Sequence, residues 1–188
     1  MNPSRIAAVA TAALWAVCLA AQDPIEQRIR DAVAKVDPAR IEATVRKLVS
    51  FGSRHPLSRT DSETEGTGAA RRWLAASFEQ IAADAGGRLT VELQRAVVPC
   101  TRAGLPRELE IVNVVATLRG STEPDRMYVV SGHYDSRNAD VGDGTRLAPG
   151  AVDDASGTAV ALEACRVLSE RSFPATILFV AYDAEEQG

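Results

Sequence analysis

Hydrophobic positions along this chain recur first with a helical period and then with a strand period. Ile25, Ile29, Ala32, Val33 and Val36 fall on one side of a helix, and Ile41, Val45, Leu48 and Val49 do the same further along. Each stripe follows an Asp-Pro pair, Asp23-Pro24 and Asp37-Pro38. An N-cap aspartate accepts from amides that have no partner inside the helix, and a proline at the first helical position lacks only a hydrogen that is not needed there. Two consecutive helices are therefore predicted, each with an apolar face that packs on something. A third follows, with Ala70, Trp73, Leu74, Phe78 and Ile81 on one face and Gly86-Gly87 as its stop. Residues 53–68, rich in Ser, Thr, Gly and charge, read as a surface loop. His55, with no acidic or cysteine neighbour at ligand spacing, reads as a solvated member of that loop.

From Leu89 the period shortens. Residues 89–98, 109–118 and 127–131 are rich in β-branched residues and punctuated by Gly, Pro and Asp, so they read as strands. Residues 155–168 form a helix pattern with little polar surface, and 175–182 are a continuous apolar run containing Ile177, Leu178, Phe179 and Val180. Such a run fits a strand covered on both faces, as in a parallel or mixed sheet between helical layers. The fold class is α/β, with a three-layer α/β/α arrangement about a mixed, largely parallel sheet. No internal repeat or low-complexity linker marks a second domain.

With 188 residues and 46% hydrophobic content the chain can bury one core of about average domain size. Its formal net charge is −4 and it has no Lys/Arg run, so the footprint of a nucleic-acid or anionic-membrane binder is missing. An apolar run from Ile6 to Ala21 follows Arg5; it is short for a membrane span of ~20 residues and suits an export signal. Small residues at Cys18 and Ala20 place cleavage near Ala20 to Gln22. Residues 1–21 are then a signal peptide and 22–188 the exported part, secreted or periplasmic and off the membrane once the signal is removed. The competing reading lipidates Cys18, but Trp15-Ala16-Val17 lacks the Leu-small-small pattern of such signals. Cys100 and Cys165 remain; export permits a bridge, whereas Cys165 in an apolar helix pattern reads more simply as a small core residue.

Three charged clusters are left over. In an open α/β sheet function gathers beyond the carboxyl ends of strands. His133 and Asp135 follow the strand ending at Ser131, Glu185-Glu186 follow the one ending at Tyr182, and Asp153 lies in the loop before the helix that starts near Ala155. In His-x-Asp the carboxylate can hold the second ring nitrogen of a metal-binding imidazole, bind metal itself, or belong to an ordinary turn. Paired glutamates can divide into a metal ligand and a proton acceptor, or simply open a solvated helix. A bound metal accounts for all three clusters together, where each bland reading accounts for one.

Gly132-His133-Tyr134-Asp135-Ser136, the segment from Ala148 to Gly157, and Ala181-Tyr182-Asp183-Ala184-Glu185-Glu186-Gln187-Gly188 resemble the three signature blocks of metallopeptidase family 28. Gly52-Ser53-Arg54 and the Gly66-to-Ala70 helix start are similar to it as well. That family includes secreted bacterial leucine-type aminopeptidases and, distantly, glutamate carboxypeptidases and glutaminyl cyclases. The resemblance implies two zinc ions, with His133 on one, Asp153 bridging, Glu186 on the other, Glu185 as general base and Asp135 holding His133. It also implies a cis peptide bond between Asp153 and Asp154. The family's two remaining ligands, an acidic residue and a histidine, come later than Gly188, so these residues are expected to be the N-terminal part of a longer enzyme and inactive alone. The implied activity is an exported zinc aminopeptidase acting on peptides. Carboxypeptidase action, glutaminyl cyclisation at a single zinc, and a metal-free binding module stay open. Family-20 metallopeptidases share His-x-Asp and Glu-Glu, but their Val-Val-Pro and Gly-Arg-Gly blocks are absent here.

Overall fold

A computed structural model describes residues 24–188; the expected signal peptide, Cys18 and Asp23 lie outside them. The chain divides into two compact units, one ending at Val36 and one spanning Asp37–Gly188. In the first unit, helix α1 (Pro24–Val33) has the predicted period. Ile25, Ile29 and Val33 are 61%, 57% and 65% exposed, and the helix is supported by side-chain pairs one turn apart, Arg30 with Glu26 and Gln27 with Asp31.

The second unit opens as its sequence predicts. Asp37 is extended and its Oδ1 accepts the amide of Ala39 at 2.9 Å, with Pro38 at the first position of α2 (Pro38–Val49). Helix α3 (Gly66–Asp84) starts inside the stretch read as loop. Strands β1 (Leu89–Pro99), β2 (Glu108–Leu118) and β3 (Glu123–His133) follow, then an irregular turn at Ala151–Ala155, helix α4 (Ser156–Leu168) and strand β4 (Ala175–Tyr182).

The sheet order is β1-β2-β4-β3. The sheet is mixed, as expected, but antiparallel pairing dominates these four strands: only β3–β4 is parallel, while β1–β2 and β2–β4 are antiparallel. The short connection between β1 and β2 permits a hairpin, whereas β3 and β4 are joined through α4, the crossover that parallel pairing requires. One core joins Leu48 of α2 and Phe51 just after it, Leu74 and Phe78 of α3, and Leu162 and Cys165 of α4 to Leu89, Val114, Ala116, Leu118, Ile177 and Phe179. The register pairs Leu89 with Leu118, Leu118 with Ile177, and Ala116 with Phe179, so these strand residues share one face and α2, α3 and α4 lie on that side. The helices of this unit thus pack on one face of a mixed α/β sheet. On the other face Met127 and Val129 are more than half exposed, while Val115 and Val180 are buried. The apolar run of β4 reflects its central place between β2 and β3 as well as the helices above it. Among the described residues no helix is long and apolar enough to cross a membrane.

Candidate metal centre

The parallel ladder brings the ends of β3 and β4 to the same rim. His133 is in register with Tyr182, and the amide of Tyr134 donates to Tyr182 O at 2.8 Å. His133 is thus the last residue of β3 rather than a loop residue after it, and the ladder fixes its backbone. Gly132 lies where α4 meets the strand: a Cβ there would stand 2.2 Å from Thr158 N and 2.3 Å from Gly157 C. Thr158 Oγ1 closes this contact by donating to His133 O at 2.8 Å.

Asp135 is fully buried and organises what surrounds it. Its Oδ1 accepts from His133 Nδ1 at 3.2 Å and from the amide of Glu185 at 3.1 Å, and its Oδ2 accepts the amide of Glu186 at 3.2 Å. With Nδ1–H so engaged, Nε2 faces outward, 3.0 Å from Asp153 Oδ1 and 3.6 Å from Glu185 Oε2. Burial alone would lower the pKa of His133, but the hydrogen bond and charge of Asp135, with the charges of Asp154 and Glu185, raise it to about 9. A nitrogen set against two carboxylates needs a proton or a metal cation on it.

Asp153 and Asp154 differ sharply although adjacent. Both depart from helical geometry within the Ala151–Ala155 turn, and the peptide bond between them is cis, as the resemblance implied. Asp154 turns inward: Oδ2 accepts the amide of His133 at 3.1 Å and Oδ1 that of Gly157 at 2.8 Å, so it ties β3 to the first turn of α4. Asp153 has a side chain 75% exposed and faces His133. The structural role of Asp154 has one sequence sign, a carboxylate just before a helix start, where orphan amides wait for an acceptor. Gly150 opens the turn with φ 42°; a Cβ there would meet Asp153 O at 2.4 Å and Ser136 Cβ at 2.8 Å.

Of the sequence-predicted residues, the fold gathers His133, Asp135, Asp153 and Glu185. Glu186 is held by two arginines: Arg137 Nε donates to its Oε2 at 2.7 Å, and Arg102 Nη1 to its carbonyl at 2.7 Å. Among the described residues no three His, Cys, Asp or Glu side chains stand close enough to hold an ion as they are. The donor chemistry nonetheless fits zinc. An imidazole nitrogen and carboxylates are zinc ligand types, and a buried carboxylate behind the imidazole is their usual support.

His55 is not solvated. Residues 53–56 are buried, and His55 Nδ1 accepts the amide of Leu57 at 3.0 Å while Nε2–H donates to Val141 O at 3.0 Å. Burial lowers its pKa, consistent with a neutral ring. Gln187 Nε2 lies 3.2 Å from the same His55 nitrogen and Gln187 Oε1 has no partner; reversing the amide lets that oxygen share the His55 N–H with Val141 O. Polar content marked the segment as exposed, whereas the flanking Phe51, Pro56 and Leu57 carry it inward. Another residue the sequence did not single out is Asp183, whose carboxyl burial pushes up to about 6 and whose Oδ2 accepts the amide of Val112 at 3.1 Å. Cys100 and Cys165 are both free thiols; Cys165 sits in the core, where burial raises it to about 12.

Residues 113–188 match Peptidase family M28. A probable zinc metalloprotease of Leptosphaeria maculans is 50% identical over 163 residues, covering 87% of this chain and 38% of that protein. Another from Pyricularia oryzae is 51% identical over 161 residues, covering 85% of this chain and 32% of its own length. The chain thus spans between about a third and two fifths of the curated relatives it matches. Among solved structures, a Tannerella forsythia glutaminyl cyclase aligns with a TM-score of 0.62 at 23% identity, over 82% of this chain and 49% of that one. A Bacteroides thetaiotaomicron leucine aminopeptidase precursor aligns at 0.61 and 24%, over 80% and 48%. At that identity the two structures show the shared fold.

Proposed function

Because this chain belongs to peptidase family M28, we propose that the rim at the ends of β3 and β4 is the zinc-binding part of an exported aminopeptidase that removes N-terminal residues from peptides. The observation that carries this reading is His133 Nε2, held outward by Asp135 and faced by Asp153 and Glu185. His133, Asp153 and Glu186 would hold the metal. Arg137 engages Glu186 through Oε2. Zinc in such a site polarises a carbonyl and makes water a competent nucleophile near neutral pH.

Glu185 is the residue suited to move the proton. Asp135 pins its amide, so the backbone is fixed, while its side chain is 61% exposed and reaches to 3.6 Å from His133. From there it takes a proton from the attacking water and passes it to the leaving amine, the ordinary two-way service of a carboxylate base. Asp135 keeps His133 in the tautomer whose Nε2 lone pair points at the site. Asp154, engaged with two backbone amides, takes no part in the chemistry.

The relatives at 50% and 51% identity, both named zinc metalloproteases, favour peptide hydrolysis over cyclisation. The test incubates the protein at the full length of its curated relatives, with zinc, with free and N-acetylated peptides, and with one that begins with Gln, followed by mass spectrometry. Stepwise loss of the first residue from the free peptides alone supports the proposal. Loss of ammonia from the Gln peptide, loss of the last residue, or no change assigns the chain to the cyclase, carboxypeptidase or non-catalytic reading. Export is part of the same proposal, resting on the composition of residues 1–21, and N-terminal sequencing of the mature protein near Ala20–Gln22 tests it.

A further inference from the structure

Chain segments 133–136, 148–154 and 185–187 carry the candidate ligands and base, and a single buried segment, Ser53-Arg54-His55, touches all three. Ser53 forms a parallel bridge with Ala148. Ser136 Oγ accepts the amide of Arg54 at 3.1 Å and donates to Ala148 O at 2.6 Å. Arg54 is 0% exposed, and its side chain donates to backbone carbonyls. Nε donates to Tyr134 O at 2.6 Å, Nη1 to Pro149 O at 2.7 Å and to Leu48 O at 3.0 Å, and Nη2 to Gly150 O at 2.9 Å. Tyr134 lies between His133 and Asp135, and Gly150 opens the turn that bears Asp153. One planar fork, whose donors keep fixed angles, therefore spans the segments of both residues.

His55 extends the span to the third segment through Gln187, the residue after Glu186. Burying a guanidinium is costly unless its donors are satisfied, and the carbonyls that satisfy this one belong mainly to the turns on which ligands are carried. A lysine would keep the charge but, as a point donor, could not hold two turns at a set separation.

We propose that Arg54 and His55 are positioning residues of the metal centre, Arg54 setting the separation of His133 from Asp153 and His55 setting the Glu185–Glu186 turn. This rests on reading the rim as a zinc site, and the test keeps the two claims apart. The full chain is prepared zinc-free as wild type, Arg54→Lys, His55→Leu and, as a core control, Leu74→Ala. Amide hydrogen exchange is followed first, then zinc affinity by titration, with a melting curve for each. Arg54→Lys should expose 133–136 and 148–154 together, and His55→Leu should expose 185–187. Each should weaken zinc binding by ~10–100-fold, the usual effect of losing a group that orients a ligand. Leu74→Ala should melt earlier yet bind zinc as wild type does. If Arg54→Lys and His55→Leu melt earlier but keep wild-type zinc affinity, both residues are merely structural and the inference is overturned. Wild type that takes up no zinc would remove the functional reading instead, and exchange in the zinc-free protein then decides the positioning claim: unaltered protection of the named segments overturns it.

Discussion

Asp135 Oδ1 lies 3.2 Å from His133 Nδ1, and the same oxygen receives the amide of Glu185 at 3.1 Å. The imidazole at the end of β3 and the carboxylate after β4 are thus set by one buried side chain. Displacing Asp135 disturbs a metal ligand and the proposed base at once.

In the zinc-free chain His133 should titrate near 9 by NMR, and Asp135→Asn should bring it down toward the usual 6.5. The folded value lies above the unfolded one. The stabilisation from the protonated ring is therefore fully present below about 6.5 and is lost as pH rises through about 9. Melting of zinc-free wild type should fall across that interval, and the fall should shrink in Asp135→Asn. At neutral pH, zinc uptake should release the proton. A ring titrating at or below 6.5 in the wild type contradicts this.

Glu185→Gln should keep zinc and lose turnover by ~10²–10⁴-fold, the contribution of a general base. Glu186→Gln should instead weaken zinc binding. Metal analysis paired with turnover separates them, and zinc lost from the first but kept by the second reverses the roles.

The two adjacent aspartates should part in behaviour. Asp154→Ala leaves the amides of His133 and Gly157 without their acceptor, and should destabilise the zinc-free chain by about 1–3 kcal/mol in denaturant unfolding. Asp153→Asn, at an exposed side chain, should leave zinc-free stability nearly unchanged and reduce zinc affinity. Equal stability losses would show that the division between them is wrong.

Gly132→Ala should also be destabilising, because the nearest atoms to the added carbon are backbone atoms of Gly157 and Thr158, which cannot swing away. Overpacking of this kind costs about 1–3 kcal/mol or more. An unchanged unfolding midpoint would mean that α4 does not press on β3 at this point.

Local patterns were the legible part of the fold. The Asp37-Pro38 cap, the periods of α2 to α4 and the location of all four strands follow from side-chain spacing and from turn residues, which act within a few positions. The pairing directions did not follow, because β4 inserts between β2 and β3, and nothing in its apolar run tells which neighbours it takes. At the site, His133, Asp135, Asp153 and Glu185 were readable as charges at strand ends. Arg54 and His55 were not: their polar loop composition resembles that of a solvated segment, and only the long-range carbonyls of Tyr134, Pro149, Gly150 and Val141 explain why they are buried. The pairing of Glu186 with Arg137 likewise depends on two loops meeting in space.

Calorimetric titration of zinc into the metal-free full chain, wild type beside His133→Ala, tests the central claim most directly. A zinc centre at the ends of β3 and β4 predicts saturable uptake by the wild type and a loss of affinity in His133→Ala greater than ~100-fold, beyond what loss of a supporting group produces. No uptake by the wild type, or uptake that His133→Ala leaves intact, would contradict it.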